Sequence, residues 1–434
     1  MNRAVGVHLF QEKEMSTRLD KSSRVKNLGW QVTFAGLGIN LALGVLYTWS
    51  IISSQIDTAG WGWTASDRVL PYSVACLVFC FVMIPAGSMQ DKFGPRIVAT
   101  IGGVLVGMGM ILASMFESVT GYVIGFGVLA GAGIGFGYAS ATPPAVKWFS
   151  KSKTGLIAGI VVSGFGMASI YAAPLAKWLA DTYSLQVMMM SFGIGFMIIV
   201  VGLSQLLISP PEGFVAEPEP VPQSAGAAAV EVAENYTPGE MLKTSQFYML
   251  WFMYACGAGA GLMVISMCKK INAKAGVGVL AVMALAIGNG AGRILAGVIS
   301  DKIGRKMTMF VFFVTQAIVI VAMGVVGGKD IPPAVAMIIL SVLVGANYGS
   351  NLALFPSATK DYFGMKNFGV NYGMIFTAWG VGGFMLSRFA AGVYDGKYLV
   401  AWAGNYNFAF YVSAALLVVA GVMTFIVKSP QRKY

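Results

Sequence analysis

"GSMQDKFGPR" occupies residues 87–96, and "GVISDKIGRK" occupies residues 297–306. Each phrase closes one long apolar run and opens the next. Gly87 and Gly297 stand four residues before Asp91 and Asp301, removing a side chain where a neighbouring helix could pass close to the acid. An acid at that depth suits the N-terminus of another helix, whose free N–H groups and dipole favour negative charge. Gly94 and Gly304 permit a tight turn. The bases that follow, Arg96 and Arg305, are expected to face the cytoplasm. A single copy would read as an ordinary basic loop. Two copies in register imply duplicated halves that meet through a breakable polar latch, as two bodies rocking against each other require.

The rest of the chain has the composition for such halves. It is 57% hydrophobic and 11% charged, with a mean hydropathy of +0.73, whereas soluble domains carry about 25% charged residues. Runs of about 20 apolar residues span a bilayer as helices. Such runs lie at 28–53, 68–90, 97–117, 120–144, 155–177, 185–208, 246–268, 277–300, 306–327, 333–357, 369–393 and 405–428. The expected fold is therefore an all-α membrane protein of twelve transmembrane helices, in two six-helix pseudo-symmetric bundles.

Residues 210–239, rich in Pro, Ala and Glu, cannot bury enough surface to fold alone. The expected organisation is a cytoplasmic tail over 1–27, one bundle over 28–209, a cytoplasmic linker over 210–245, a second bundle over 246–428 and a short tail over 429–434. The first run is too long for a signal-peptide core and is read as retained.

The net charge of +11 is topogenic. With the N-terminus inside, 20 of the 29 Lys and Arg residues fall in cytoplasmic segments and 7 on the opposite side. That asymmetry puts both termini in the cytoplasm and leaves nucleic acid no role as a partner. The four cysteines lack metal or redox spacing and read as small packing residues. The glycine clusters "GAGIGFGYA" (131–139), "GIVVSGFGMAS" (159–169), "GNGAGRILAG" (288–297) and "WGVGGF" (379–384) allow close helix approach.

Charge inside the spans is rare, and intramembrane charge usually marks function. Arg293 lies near the middle of the eighth run and Arg388 toward the outer end of the eleventh. No Asp or Glu occupies the centre of a run, and the one histidine, His8, is in the tail. The chain thus lacks the groups for an intramembrane metal, a cofactor ligand set or a nucleophilic triad, and an enzyme is not expected. A buried guanidinium without a resident acid is an unbalanced cation, suited to an arriving carboxylate. The competing reading is a snorkelling or carbonyl-bonded structural arginine. Asn289 is one turn before Arg293, on the same face. Tyr47, Tyr138 and Tyr348 lie in central runs and could line a cavity around a small acid. Arg388 is either a second contact or a helix-end anchor.

The repeated phrases resemble the signature of the major facilitator superfamily, with Pro95 where a base is usual and Arg96 one place later. Within it, "LALGVLYTWSI" (41–51), "VKWFSKSKTGLIAGIVVSGFG" (146–166), "YTPGEMLKTSQFYMLW" (236–251), "GRILAGVISDKIGR" (292–305) and "LALFPSATKDYFGMKNFGVNYG" (352–373) resemble the oxalate/formate antiporter family, itself similar to monocarboxylate transporters. The resemblance implies small carboxylates held between the halves. It carries the family's arginine onto Arg293, its cavity tyrosines onto Tyr47 and Tyr138, and an aromatic onto Tyr348. The exchanger's second cation falls on Trp379, so one carboxylate is expected rather than two. The aspartate that animal monocarboxylate transporters place before the arginine is Asn289 here, so no side chain is named as proton carrier.

The resulting expectation is a proton-coupled carrier of a lactate-, pyruvate- or formate-class acid, a monomer in a prokaryotic cytoplasmic membrane. A carboxylate exchanger is the alternative, followed by a non-transporting carboxylate sensor.

Overall fold

The computed structural model describes residues 27–150, 153–211, 214, 235–364 and 366–430. Most of the expected N-terminal tail, with His8, most of the linker and the last four residues lie outside this set.

Among the described residues, twelve helices are long and apolar enough to cross a membrane. They are α1 Gly29–Thr58, α2 Ala65–Phe93, α3 Pro95–Ser114, α4 Val119–Val146, α5 Gly155–Thr182, α6 Leu185–Ser204, α7 Ser245–Ile271, α8 Gly278–Ile303, α9 Arg305–Gly327, α10 Ala334–Phe363, α11 Phe368–Tyr394 and α12 Asn407–Ile426. Several run beyond their apolar cores. α1 continues through Ser53, Ser54, Gln55 and Asp57, and α10 through Lys360 and Asp361. Hydropathy marks where hydrocarbon ends; the helix stops later, where caps or glycines stop it.

The stops are legible. Thr64 and Asp67 form a reciprocal capping box at the start of α2. Gly94 and Gly304 end α2 and α8 with φ of +82° at both, a region that disfavours any side chain. Each N–H bonds back to its helix, Gly94 to the Gln90 carbonyl at 2.9 Å and Gly304 to that of Ser300 at 3.0 Å. The two phrases thus build the same turn. A third instance closes α10, where Gly364 has φ +75° three residues after Asp361.

α1–α6 form one bundle and α7–α12 the other, related by pseudo-symmetry. Across the interface α2 packs on α11, α5 on α8, and the outer part of α1 on α7. Exchanging the halves carries the first contact onto the second. The same symmetry holds inside each half. A Cβ on Gly131 or Gly135 of α4 would lie 3.0 Å from the Ala75 carbonyl oxygen or 2.9 Å from that of Phe79, on α2. In the second half, Gly345 and Gly349 of α10 meet the Leu285 and Asn289 carbonyls of α8, at 2.0 Å and 2.2 Å. Gly288 and Gly292 answer from α8, each 2.0 Å from a carbonyl oxygen of α10. This four-residue glycine spacing on both helices lets their backbones touch.

Because the helices alternate in direction, both repeated phrases lie at one end, here termed the repeat end. The connections before α2 and after α11 lie at the far end.

Candidate functional site

The α8–α10 glycine zipper commits one face of α8 to α10. Asn289 and Arg293, one turn apart, project from α8 toward α5. Arg293 is 6% exposed. Its Nη1 donates to the Val162 carbonyl of α5 at 2.7 Å, and its Nε and Nη2 donate to the Asn289 Oδ1 at 3.3 Å. Every partner is a neutral oxygen, and among the described residues no carboxylate lies within salt-bridge distance. Asn289 Nδ2 is buried and has no hydrogen-bond partner. An unbalanced cation and an unused donor therefore sit side by side, and burying both costs free energy. Room for it comes from Gly166 of α5, where a Cβ would lie 3.2 Å from both Arg293 Nη2 and the Asn289 side chain.

The sequence-selected aromatics gather beside this pair. Tyr47 of α1 and Tyr348 of α10 share a hydrogen bond of 2.6 Å across the two halves. Trp379 Nε1 of α11 donates to the same Tyr348 hydroxyl at 2.8 Å. Tyr47, Tyr138 and Tyr348 are all within electrostatic reach of Arg293. Three phenylalanines that sequence reasoning did not select pack against this group. Phe79 packs on Tyr138 at 5.4 Å and on Trp379 at 5.1 Å, Phe165 packs on Tyr47 at 4.9 Å, and Phe376 stacks on Trp379 at 5.2 Å. They carried no signal, because one more Phe in an apolar helix is unremarkable in sequence. Val162 was equally invisible, since it contributes only its carbonyl. Gly166 had a signal in its glycine-rich run, but its neighbour across the interface was not deducible.

Arg388 is not part of this group. It donates to the Ser66 carbonyl in the first turn of α2, at the far end. Asp395, just after α11, accepts from the N–H groups of Ala65 at 2.9 Å and Ser66 at 2.8 Å. The second half thus grips the start of α2 by an acid at its N–H groups and a base at a carbonyl. Burial works against the Asp395 charge, but the Ser66 and Ala65 hydrogen bonds and the nearby Lys397 hold its carboxyl below the usual value.

The repeat end is different. Asp91 and Arg96 are exposed and make no ion pair among the described residues. Arg305 binds within its own half, to Asp361 at 2.9 Å, Asp301 at 3.7 Å and the Ser300 hydroxyl at 2.6 Å. A Cβ on Gly87 or Gly297 would meet nothing within 4 Å. The close approach expected at those glycines is absent in this conformation, and neither Asp91 nor Asp301 bridges the halves. Closer to the centre the packing tightens, for a Cβ on Gly380 of α11 would lie 2.2 Å from Cys80 Sγ of α2. Among the described residues, the hydrogen bonds between the halves lie at the centre and the far end, and none lies at the repeat end.

The Major Facilitator Superfamily profile matches residues 28–386 and, in a second alignment, 269–434. The chain belongs to the Major Facilitator Superfamily. It is a transporter of that superfamily and a multi-pass membrane protein. Members similar to it include the oxalate:formate antiporter of Oxalobacter formigenes, 28% identical over 92% of both chains. Monocarboxylate transporter 13 of Bos taurus is 27% identical over 36% of each chain. Among solved structures, a bacterial homologue of the human lysosomal transporter Spinster superposes with a TM-score of 0.64 at 14% identity, over 93% of this chain and 97% of that one. At that identity the likeness speaks for the superfamily fold alone.

Proposed function

We propose that this superfamily member carries a small monocarboxylate, of the formate, lactate or pyruvate class, between its halves by alternating access. The observation that carries the reading is Arg293, buried, bonded only to neutral oxygens, and flanked by the unused Asn289 Nδ2. A carboxylate would receive a charge-assisted pair of bonds there, and the rigid guanidinium fork suits it better than an ammonium would. Tyr47, Tyr138 and Tyr348 supply further hydroxyls, and Trp379 occupies the place of a second cation. One buried cation balances one carboxylate. The repeat end is assigned to the cytoplasm on its basic excess, and the Asp91 and Asp301 latch is assigned to the conformation in which that end is closed.

No Asp or Glu is among the buried described residues, so in proton symport the acid itself would carry the proton. Exchange is the second reading, favoured by the antiporter that matches 92% of the chain. Reconstitution into liposomes decides. Labelled formate, lactate, pyruvate and oxalate are offered with and without an inward proton gradient, beside Arg293→Ala. Gradient-driven uptake that the variant loses supports symport. Uptake only against preloaded anion makes the protein an exchanger. An active variant, or preference for oxalate, overturns the monocarboxylate assignment to Arg293.

A further inference from the structure

A cavity of about 620 Å³ lies not at Arg293 but at the far end, and its walls come from both halves. Its charged lining comprises Asp57, Arg68, Lys177, Lys269 and Lys270, four cations against one carboxylate. That carboxylate is already engaged, with Asp57 2.6 Å from Arg68 and 3.8 Å from Lys270. Lys270 also stands 4.3 Å over the Tyr394 ring, and Lys177 is paired with Asp181. Lys269 is left without a salt bridge among the described residues, and Asp181, already paired with Lys177, acts on it only from beyond that distance. The wall holds a second unsatisfied group, the Ser50 hydroxyl, 2% exposed and without a hydrogen-bond partner.

A concave site with an excess of one sign of charge concentrates counter-ions, and here a cation outside any salt bridge and an unpaired buried hydroxyl line the same cavity from the two halves. We propose that this cavity is a second anion site, separate from Arg293, in which Lys269 and the Ser50 hydroxyl hold a small carboxylate or inorganic anion. Ser50 belongs to α1 and Lys269 to α7, so the bound anion ties the halves together. It reinforces the Asp395 grip, and the site disperses when the far end opens. Anion at that face therefore favours the conformation described here.

The test uses the full-length protein carrying Arg293→Ala, so that the central arginine contributes nothing. Its melting is followed by intrinsic fluorescence while sodium formate, acetate or phosphate replaces sodium isethionate at constant ionic strength. The expected result is a saturable rise in Tm, as for any ligand that binds only the folded state. Adding Lys269→Gln should weaken the apparent affinity about 10-fold, the equivalent of ~1.4 kcal/mol, and Lys269→Arg should restore it. No saturable rise, or a rise untouched by Lys269→Gln, overturns the proposal. Should Lys269→Gln not fold, Ser50→Ala is read the same way, and unchanged affinity again overturns it. Response to formate and acetate alone identifies a carboxylate site, and response to phosphate as well a general anion site; both support it. Failure of the central-site reading would appear in uptake by the unsubstituted protein and leave this result standing.

Discussion

Arg293 is placed by its surroundings more than by its own helix. Gly166 leaves the space, the Val162 carbonyl takes one Nη1 bond, and Asn289 holds the other edge of the guanidinium. Lysine at this position would keep the charge but lose the fork. We expect Arg293→Lys to lower kcat/KM for carboxylate uptake about 10- to 100-fold, the ~1.5–3 kcal/mol of hydrogen bonds to a charged group, with melting unchanged. Gly166→Ala probes the same place from the other half. Its methyl would press on Nη2 and on the Asn289 amide at 3.2 Å, so uptake should weaken several-fold although no polar group is touched. Substrate titrations of uptake rate check both, and full activity in Gly166→Ala would show that the guanidinium position is immaterial. Tyr348 is the hub of the hydroxyl network, and Tyr348→Phe leaves both Tyr47 and Trp379 without their shared partner. Loss of those bonds should cost about 1–3 kcal/mol of stability, read in thermal melts.

Among the helices, the α8–α10 pair is the least tolerant. A methyl on Gly292 or Gly345 would sit 2.0 Å from a backbone carbonyl oxygen, and backbone cannot yield as a flexible side chain does. Gly292→Ala should therefore lower melting sharply, by about 3 kcal/mol or more, and should displace Arg293, which is one residue away. The α2–α11 contact at the far end has an electrostatic lock instead. Asp395 titrates below the ordinary carboxylate value because the α2 N–H groups bond its charged form. An acid with a depressed pKa contributes stability above its unperturbed value of about 3.9 and loses it as pH falls through the lowered one. The grip should thus be complete at neutral pH, loosen only in acid and be indifferent to alkali. Asp395→Asn should open it at pH 7. Spin labels at Thr58 and Tyr398, both exposed at that end, report the distance. A neutral-pH distribution unchanged by Asp395→Asn would remove the carboxylate from the grip.

In the whole molecule, two halves of one fold have been given different chemistry. By the 210-residue offset of the repeated phrases, Phe79 corresponds to Asn289 and Met83 to Arg293. Both halves supply rings; the first adds the Val162 carbonyl and the second the cation. In this conformation Asp91 and Asp301 make no ion pair or hydrogen bond between the halves among the described residues. Asp91→Asn and Asp301→Asn should accordingly leave melting nearly unchanged and slow transport. A large melting shift without a transport defect would assign these acids to folding instead. Helix count, the duplicated turn at Gly94 and Gly304, and the one central cation were legible along the chain, because hydropathy, positive φ and the cost of buried charge act through local residue type. What covers Arg293, where Arg388 reaches and how Asp395 grips α2 were not. Val162 and Arg293 are 131 positions apart, Ser66 and Arg388 322. Such partners are chosen by how two bundles dock, and docking is written in no single helix.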